Sequence, residues 1–334
     1  MSSVTIKDIA KKLDIAPSTV SRALRDHPDV SKTTRNKVLQ VANEMNYHPN
    51  TIAQSLKKGT SRIVGVLVPQ VRHYFFAEIM AGIAEVAEES GYNVMICQSN
   101  EKYENEVKNV RTLIQQRIAG LLVSVSEFTK KCDHFNLVKN SGIPLVFFDR
   151  DCNGIHASKV IVDDYSGAFN AVEYLIESGY KRIAHLGGYE NLTIARKRAR
   201  GYKDALKKHN MPIDEELIMH SGLNEEDGAE SFKKLYNRLE KKPDAIFAVT
   251  DPVAIGAYQV MKERGIKIPD DIALVGFSDN PDARLIDPPL TTVKQSPYDI
   301  GKNAMQLLLK QMQNKNSKIE NKILKTELVI RESA

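Results

Sequence analysis

Long apolar runs are missing from this 334-residue sequence. None approaches the roughly 20 residues that span a bilayer, so no membrane segment is expected. Cysteine is scarce: Cys97, Cys132 and Cys152 are scattered, with no C-x-x-C pair. Such an odd set suggests neither a disulfide framework nor a zinc site. The opening residues, MSSVTIKDIAKKLDI, alternate charged and apolar side chains and lack the apolar centre of a secretory signal. A cytoplasmic protein is expected. No H-E-x-x-H, G-x-S-x-G, Walker A or G-x-G-x-x-G motif occurs. The eight histidines are dispersed, and His185 in RIAHLGG reads as a structural residue and not a base. Catalysis and a cofactor are therefore not expected.

What is present is uneven in charge. Residues 1–60 hold ten Lys/Arg against five Asp/Glu, which is the whole net excess of +5. A basic head on a neutral body points to a polyanion as the partner of the head. The head reads as three short helices. Thr5 can cap the first, with Asp8 three residues on and Ile6, Ile9, Ala10 and Leu13 on one face. Pro17 suits the first turn of a second helix, with Val20 and Leu24 inward. Ser31 caps a third, which carries Val38, Val41, Ala42 and Met45. Helix, tight turn and helix in TIKDIAKKLDIAPSTVSRAL have helix-turn-helix spacing, and Ser18, Thr19, Ser21, Arg22 and Arg25 are left outward. Hydroxyls and arginine suit phosphate and base-edge contacts in a major groove. The next segment, NTIAQSLKKG from Asn50 to Gly59, makes barely two helical turns. It is too short to stand alone, and its Ile52 and Leu56 share one face without an evident partner in the chain.

From Arg62 the pattern alternates apolar strands with amphipathic helices. Ten strand-like runs are readable, from RIVGVLVP through AIFAVTD to LTTVKQ. This alternation implies parallel sheets covered on both faces. Ten strands exceed one comfortable sheet, so two doubly wound halves dividing near Val162–Tyr165 are expected. NKILKTELVIRES adds a single edge strand in this reading.

VTIKDIAKKLDIAPSTVSRAL, with the following VSKTTRNKVLQVANEMNYHPNTIAQSL, closely resembles the headpiece of the lac repressor (LacI/GalR) family of bacterial transcription regulators. RIVGVLVP, DDYSGAF, AVTDPVAIGA, IALVGFSD and PPLTTVKQ resemble that family's periplasmic-binding-protein-like core, in the same order. The resemblance implies a small all-α helix-turn-helix headpiece (1–49), a hinge helix and linker (50–60), and an α/β core (61–334) of two doubly wound parallel-sheet subdomains. Their approximate bounds are 61–162 with 293–322, and 163–292 with 323–334. It also implies a ligand-responsive regulator that binds palindromic double-stranded operator DNA as a homodimer. Ser18 and Arg22 then fall at base-reading positions, and Thr5, Thr19, Ser21 and Ser31 at phosphate-contacting ones. In the hinge, Leu56 takes the place of a minor-groove wedge, with Asn50, Ala53 and Gln54 beside it. Ala16, where a capping hydroxyl is common, and Pro17, where many members present a reading side chain, depart from the pattern. The chain stops soon after its last strand, so a dimer and not a tetramer is expected.

For the core, the resemblance implies a small-molecule effector (a sugar, sugar phosphate or other small metabolite) held by Phe75, Phe76, Ser124, Asp149, Arg198, Thr250, Ser278 and Gln295. Most of these also lie beyond carboxyl ends of predicted strands, where open α/β sheets bind ligands. Ser278 stands where the family commonly has Asp, while IARKRARGY is unusually basic. An anionic effector with Arg198 as its main partner is the expectation. YDIGKNAMQLLLKQM also resembles the catabolite-control branch, which leaves a phosphocarrier protein as an alternative corepressor. A sugar-binding receptor is the remaining alternative.

Overall fold

The structure, a computed structural model, describes residues 4–47, 61–314 and 317–334. It divides into two compact units, Met1–Ser61 and Arg62–Ala334. The hinge segment, with Asn50, Ala53, Gln54 and Leu56, lies outside the described residues.

In the first unit, α1 (Ile6–Leu13) starts at a reciprocal cap in which the Thr5 amide donates to Asp8 Oδ2 at 2.8 Å. It ends at Asp14, whose left-handed backbone (φ 50°) turns the chain. α2 (Pro17–Ala23) begins with proline at its first position, where a missing N–H costs nothing. Its N-cap is Ala16, which offers no side-chain cap. α3 (Lys32–Glu44) begins at Ser31, whose hydroxyl accepts the Thr34 amide at 3.1 Å. Ile9, Ala10, Val20, Ala23, Val38, Val41 and Ala42 form one small core. Each buried Ile or Val there contributes roughly 1.5–3 kcal/mol.

The second unit carries two six-stranded sheets. The first contains β1 (Ile63–Val68), β2 (Asn93–Gln98), β3 (Gly120–Val123), β4 (Leu145–Phe148), β5 (Ser158–Val162) and β11 (Asn321–Leu324), in the order β11-β5-β4-β3-β1-β2. All its pairings are parallel. The second contains β6 (Ile183–Gly188), β7 (Ile218–Ser221), β8 (Ala245–Ala248), β9 (Ala273–Ser278), β10 (Thr291–Lys294) and β12 (Glu327–Val329), in the order β12-β10-β9-β8-β6-β7. Here only the edge strand β12 runs antiparallel. Inner strands such as β3, β4 and β8 are buried along their whole length, as near-continuous apolar runs demand when helices cover both faces. One expectation needs correcting. The segment after residue 320 supplies two edge strands, one for each sheet, because Lys325 and Thr326 interrupt the run and carry the chain across.

Helices pack in close pairs over these sheets. α4 (Tyr74–Glu89) lies on α11 (Pro297–Gln313), α7 (Asp164–Glu177) on α8 (Thr193–Lys208), and α9 (Glu225–Arg238) on α10 (Asp251–Glu263). In the last pair a Cβ on Gly256 would sit 1.9 Å from the Glu225 carbonyl oxygen. A Cβ on Gly228 would sit 2.2 Å from that of Val253. Only glycine allows backbones this near. α5 (Tyr103–Gln115) and α6 (Asp133–Asn140) complete the first half.

A second correction concerns cysteine. Cys132 and Cys152 are joined by a disulfide, while Cys97 is free. The pairing was hidden in the sequence because 20 residues separate the partners. Only the fold brings the loop before α6 to the loop after β4.

Candidate functional site

In both sheets the strand order reverses next to the first strand of the half, between β1 and β3 and between β6 and β8. Connections leave in opposite directions at such a point, and a crevice opens beyond the carboxyl ends of the strands. A cavity of about 660 Å³, including its open mouth, lies there. Its lining comes from both sheets: Phe75, Phe76 and Asp149 from the first half, and Arg198, Thr250, Ser278 and Gln295 from the second half and the link after β10. Seven of the eight residues named from the resemblance thus share one cavity. Ser124 stands behind it, with its hydroxyl 3.4 Å from Asp149 Oδ2.

Sequence reasoning did not place Gln70, His73, Glu101, Glu127, Asn224 or Asn280 at the effector site, yet all six line the cavity. They occupy loops or helix ends with no periodic signal. Arg150 lines it as well. Its Nη1 donates to both oxygens of Glu101, at 2.9 and 3.1 Å, and its Nε lies 3.7 Å from Asp149 Oδ2.

The cleft is less basic than the IARKRARGY stretch by itself suggests. Of the cations in IARKRARGY, only Arg198 lines the cavity. The exposed Arg196 donates to the Glu190 carbonyl, and the exposed Arg200 pairs with Asp204. Arg198 is 1% exposed and already committed: Nε and Nη2 donate to Asp164 Oδ1 at 2.9 and 2.7 Å, and Nη1 to the Val249 carbonyl at 2.6 Å. Its guanidinium also lies over the Phe277 ring, 3.7 Å from the centroid. With Arg198 balanced by Asp164, Arg150 alone faces Glu101, Glu127 and Asp149. Burial pushes the Asp149 carboxyl up to about 6 despite the Arg150 charge beside it. Burial, followed by the neighbouring Glu101 charge, pushes Glu127 up to about 7.

Asp251, at the start of α10, is fully buried and organises one wall. Its Oδ2 accepts the Asn280 amide at 2.7 Å, and its Oδ1 accepts the Thr292 hydroxyl at 2.5 Å. His185 lies away from the cleft lining, sandwiched between the Tyr202 and Phe247 rings. Its Nδ1 donates to the Phe247 carbonyl at 3.0 Å, and burial pushes its pKa down to about 4. It is a neutral packing group at ordinary pH.

In the first unit, Val20 and Ala23 turn inward from α2 and leave Ser18 and Arg22 exposed, with Thr19 and Ser21 half-buried. Arg25 and Ser31 are exposed as well. The Thr5 hydroxyl is turned to Asp8 Oδ2, at 2.7 Å, and the Ser31 hydroxyl to Thr34. These two groups hold helix starts while remaining at the surface.

The comparisons agree with this arrangement. Residues 5–50 match the model for bacterial regulatory proteins of the lacI family, and residues 172–334 that for a periplasmic binding protein-like domain. The HTH-type transcriptional repressor PurR of Vibrio campbellii is 32% identical, over 98% of this chain and 97% of its own. The lac repressor dimer bound to operator and the anti-inducer ONPF superposes with a TM-score of 0.87 at 27% identity, covering 99% of both chains. The transcription regulator CcpA of Lactococcus lactis gives a TM-score of 0.76 at 28% identity, covering 81% of this chain and 98% of that one.

Proposed function

The chain belongs to the lacI family of bacterial regulatory proteins, and from that premise we propose that it binds a palindromic operator as a homodimer, with each head reading one half-site. It is a transcription regulator with a DNA-binding head and an effector-binding core, and not an enzyme. The observation that carries the reading is the face of α2 on which Ser18 and Arg22 stand exposed while Val20 and Ala23 fix the helix to its core. Ser18 and Arg22 read base edges, and Thr5, Thr19, Ser21 and Ser31 hold phosphates. No helix among the described residues is long and apolar enough to cross a membrane, and the protein acts in the cytoplasm, where operator DNA is found.

Arg22→Ala should weaken binding to the cognate operator by roughly 1–3 kcal/mol, the worth of a bidentate base contact, with a smaller loss on random DNA. Fluorescence anisotropy on both duplexes measures the difference. Equal losses would reduce Arg22 to a phosphate contact. Affinity should also fall steeply with salt, because each neutralised phosphate releases counterions.

The hinge reading, with Asn50, Ala53, Gln54 and Leu56 at the minor groove, is carried by sequence resemblance. Leu56→Ala should erase most of the preference for operator over random DNA while leaving the dimer intact, since a wedge acts only where the duplex can kink. Sedimentation and anisotropy on one sample test both halves of that statement. The effector works as a population shift: it binds one arrangement of the two core halves better than the other, and that difference moves the heads. A pulldown with a phosphocarrier protein tests the alternative in which a protein partner does so.

A further inference from the structure

We propose that the effector carries a positively charged nitrogen, an ammonium or amidinium, seated against the Glu127 carboxylate. The inference rests on reading the cleft as the effector site. Its starting point is an inventory of which polar groups in the cavity are already used. Arg198 is used by Asp164 and the Val249 carbonyl. Arg150 Nη1 is used by Glu101, whose Oε2 also accepts the Glu127 amide at 2.7 Å. Arg198 is thus fully committed, while Arg150 is tied to Glu101 through Nη1.

What remains is mostly acceptor. The Glu127 side chain receives no hydrogen bond among the described residues, although the residue is only 8% exposed. Gln295 Oε1 is buried without a partner. The Asp149 carboxylate has only long contacts, with Ser124 and with Arg150 Nε, and that Nε is the one buried donor of the cavity left without a hydrogen bond. An anion entering here would find Arg150 Nε as the one unbonded buried donor and would add its charge to those of Glu101, Glu127 and Asp149 around it. A neutral polyol would satisfy acceptors but leave Glu101, Glu127 and Asp149 sharing the single charge of Arg150, which is costly for buried carboxylates. A cation does both.

Glu127 is also held in position from two sides. Its carbonyl accepts a hydrogen bond from Asn191 Nδ2, on the loop after β6, and the ring of the adjacent Phe128 meets Tyr189, 5.7 Å between centroids. Beneath it, the fully buried Glu106 carboxylate accepts the Ser126 amide at 2.8 Å, the Thr129 hydroxyl at 2.8 Å and His134 Nε2 at 2.9 Å. The loop is thus fixed at its root and bridges the cleft at its tip, so a cation bound to Glu127 would join the two halves. The ionisable groups acting on Glu127 are Glu101, Arg150 and Asp227, with Tyr189 across the mouth and His73, whose pKa burial lowers, also on the lining. Raised to about 7, Glu127 is partly protonated at neutral pH. A bound cation expels that proton, so affinity should rise between pH 6 and pH 8.

Calorimetry on the full chain with matched probes tests this. Glucosamine is set against glucose and glucose 6-phosphate at pH 7, and putrescine against 1,4-butanediol at pH 6, 7 and 8. The aminated member of at least one set should bind about tenfold more tightly than its relatives, the worth of one charge-assisted hydrogen bond. Putrescine affinity should rise with pH, and Glu127→Gln should remove the advantage. A neutral or phosphorylated member that binds as tightly, or no aminated member binding at millimolar concentration, would overturn the proposal. Either result leaves the regulator reading standing, since operator affinity in the same samples tests that separately. A second measurement needs no ligand. A carboxyl whose folded pKa is raised penalises the fold above that pKa and not below its ordinary value. Glu127→Gln should therefore melt higher than the parent at pH 8, with a difference that shrinks toward pH 4.5. A melting point at pH 8 equal to or below the parent's would mean that the protein already matches this charge, and would also overturn the proposal.

Discussion

Gly256→Ala is expected to destabilise the core by roughly 3 kcal/mol, near the top of the range for overpacking a closed interior. The added Cβ would lie 1.9 Å from the Glu225 carbonyl oxygen and 2.8 Å from the Ala229 nitrogen. Both are backbone atoms of α9, so no rotamer change can relieve the clash and the helices must part. Parting them opens the cluster that Phe232, Leu235, Val253, Ala257 and Val260 share with the second sheet. The gain of about 1 kcal/mol that alanine brings to a helix is too small to offset that loss. Urea unfolding should show the core transition at lower midpoint with an unchanged slope. Gly228→Ala should act similarly from the other helix. The double variant should cost less than the sum, because once the helices have separated both methyls fit. An unmoved midpoint in either single variant would mean the pair is free to separate.

Arg198→Ala should cost roughly 3–5 kcal/mol, the usual penalty for stranding a buried charge. Asp164, itself 1% exposed, would lose both donors to its Oδ1, and the Phe277 ring would lose the guanidinium it carries. Arg198 also lines the cavity, so a role toward the effector and a role in the fold meet in one side chain. The distinguishing experiment replaces the pair together. Arg198→Met with Asp164→Leu should recover most of the lost stability, because neither charge is then stranded, whereas an unrecovered double variant would assign the loss to packing alone. Thermal melts of the parent, the single and the double variants give the answer. Operator affinity measured well below the melting point separates fold from signalling.

Much of the architecture was legible because its signals are local. Caps at Thr5 and Ser31, proline at the first turn of α2, and continuous apolar runs for the inner strands are all short-range features, and the structure places each element where they point. The failures are long-range. NKILKTELVI looks like one strand, and which sheet each half joins depends on edges formed far earlier, by β5 and by β10. The Cys132–Cys152 pairing joins two loops that no pattern connects. The charge of the cleft does not follow from the composition of a basic helix, because the direction of that helix relative to the cavity decides which side chains enter it. The acids of the lining, Glu101 and Glu127, sit in loops after β2 and β3, where side-chain identity follows no period.

The split of the final segment between the two sheets also sets a timetable for biosynthesis. The first five strands have emerged by Val162, but β11, which closes the β5 edge, begins only at Asn321. At bacterial elongation rates that interval is roughly ten to thirty seconds. For most of it, until Pro297–Gln313 is made, Val64, Val66 and Leu122 lack the cover that Ile300, Ala304, Met305 and Leu308 of α11 provide. The second sheet waits far less, since β12 begins at Glu327, soon after its partner β10 ends at Lys294. A nascent chain of this kind exposes an open strand edge and a bare apolar face to the ribosome exit and its attendant chaperones for nearly half of its translation, and the two halves of the core reach their final form within a few residues of each other.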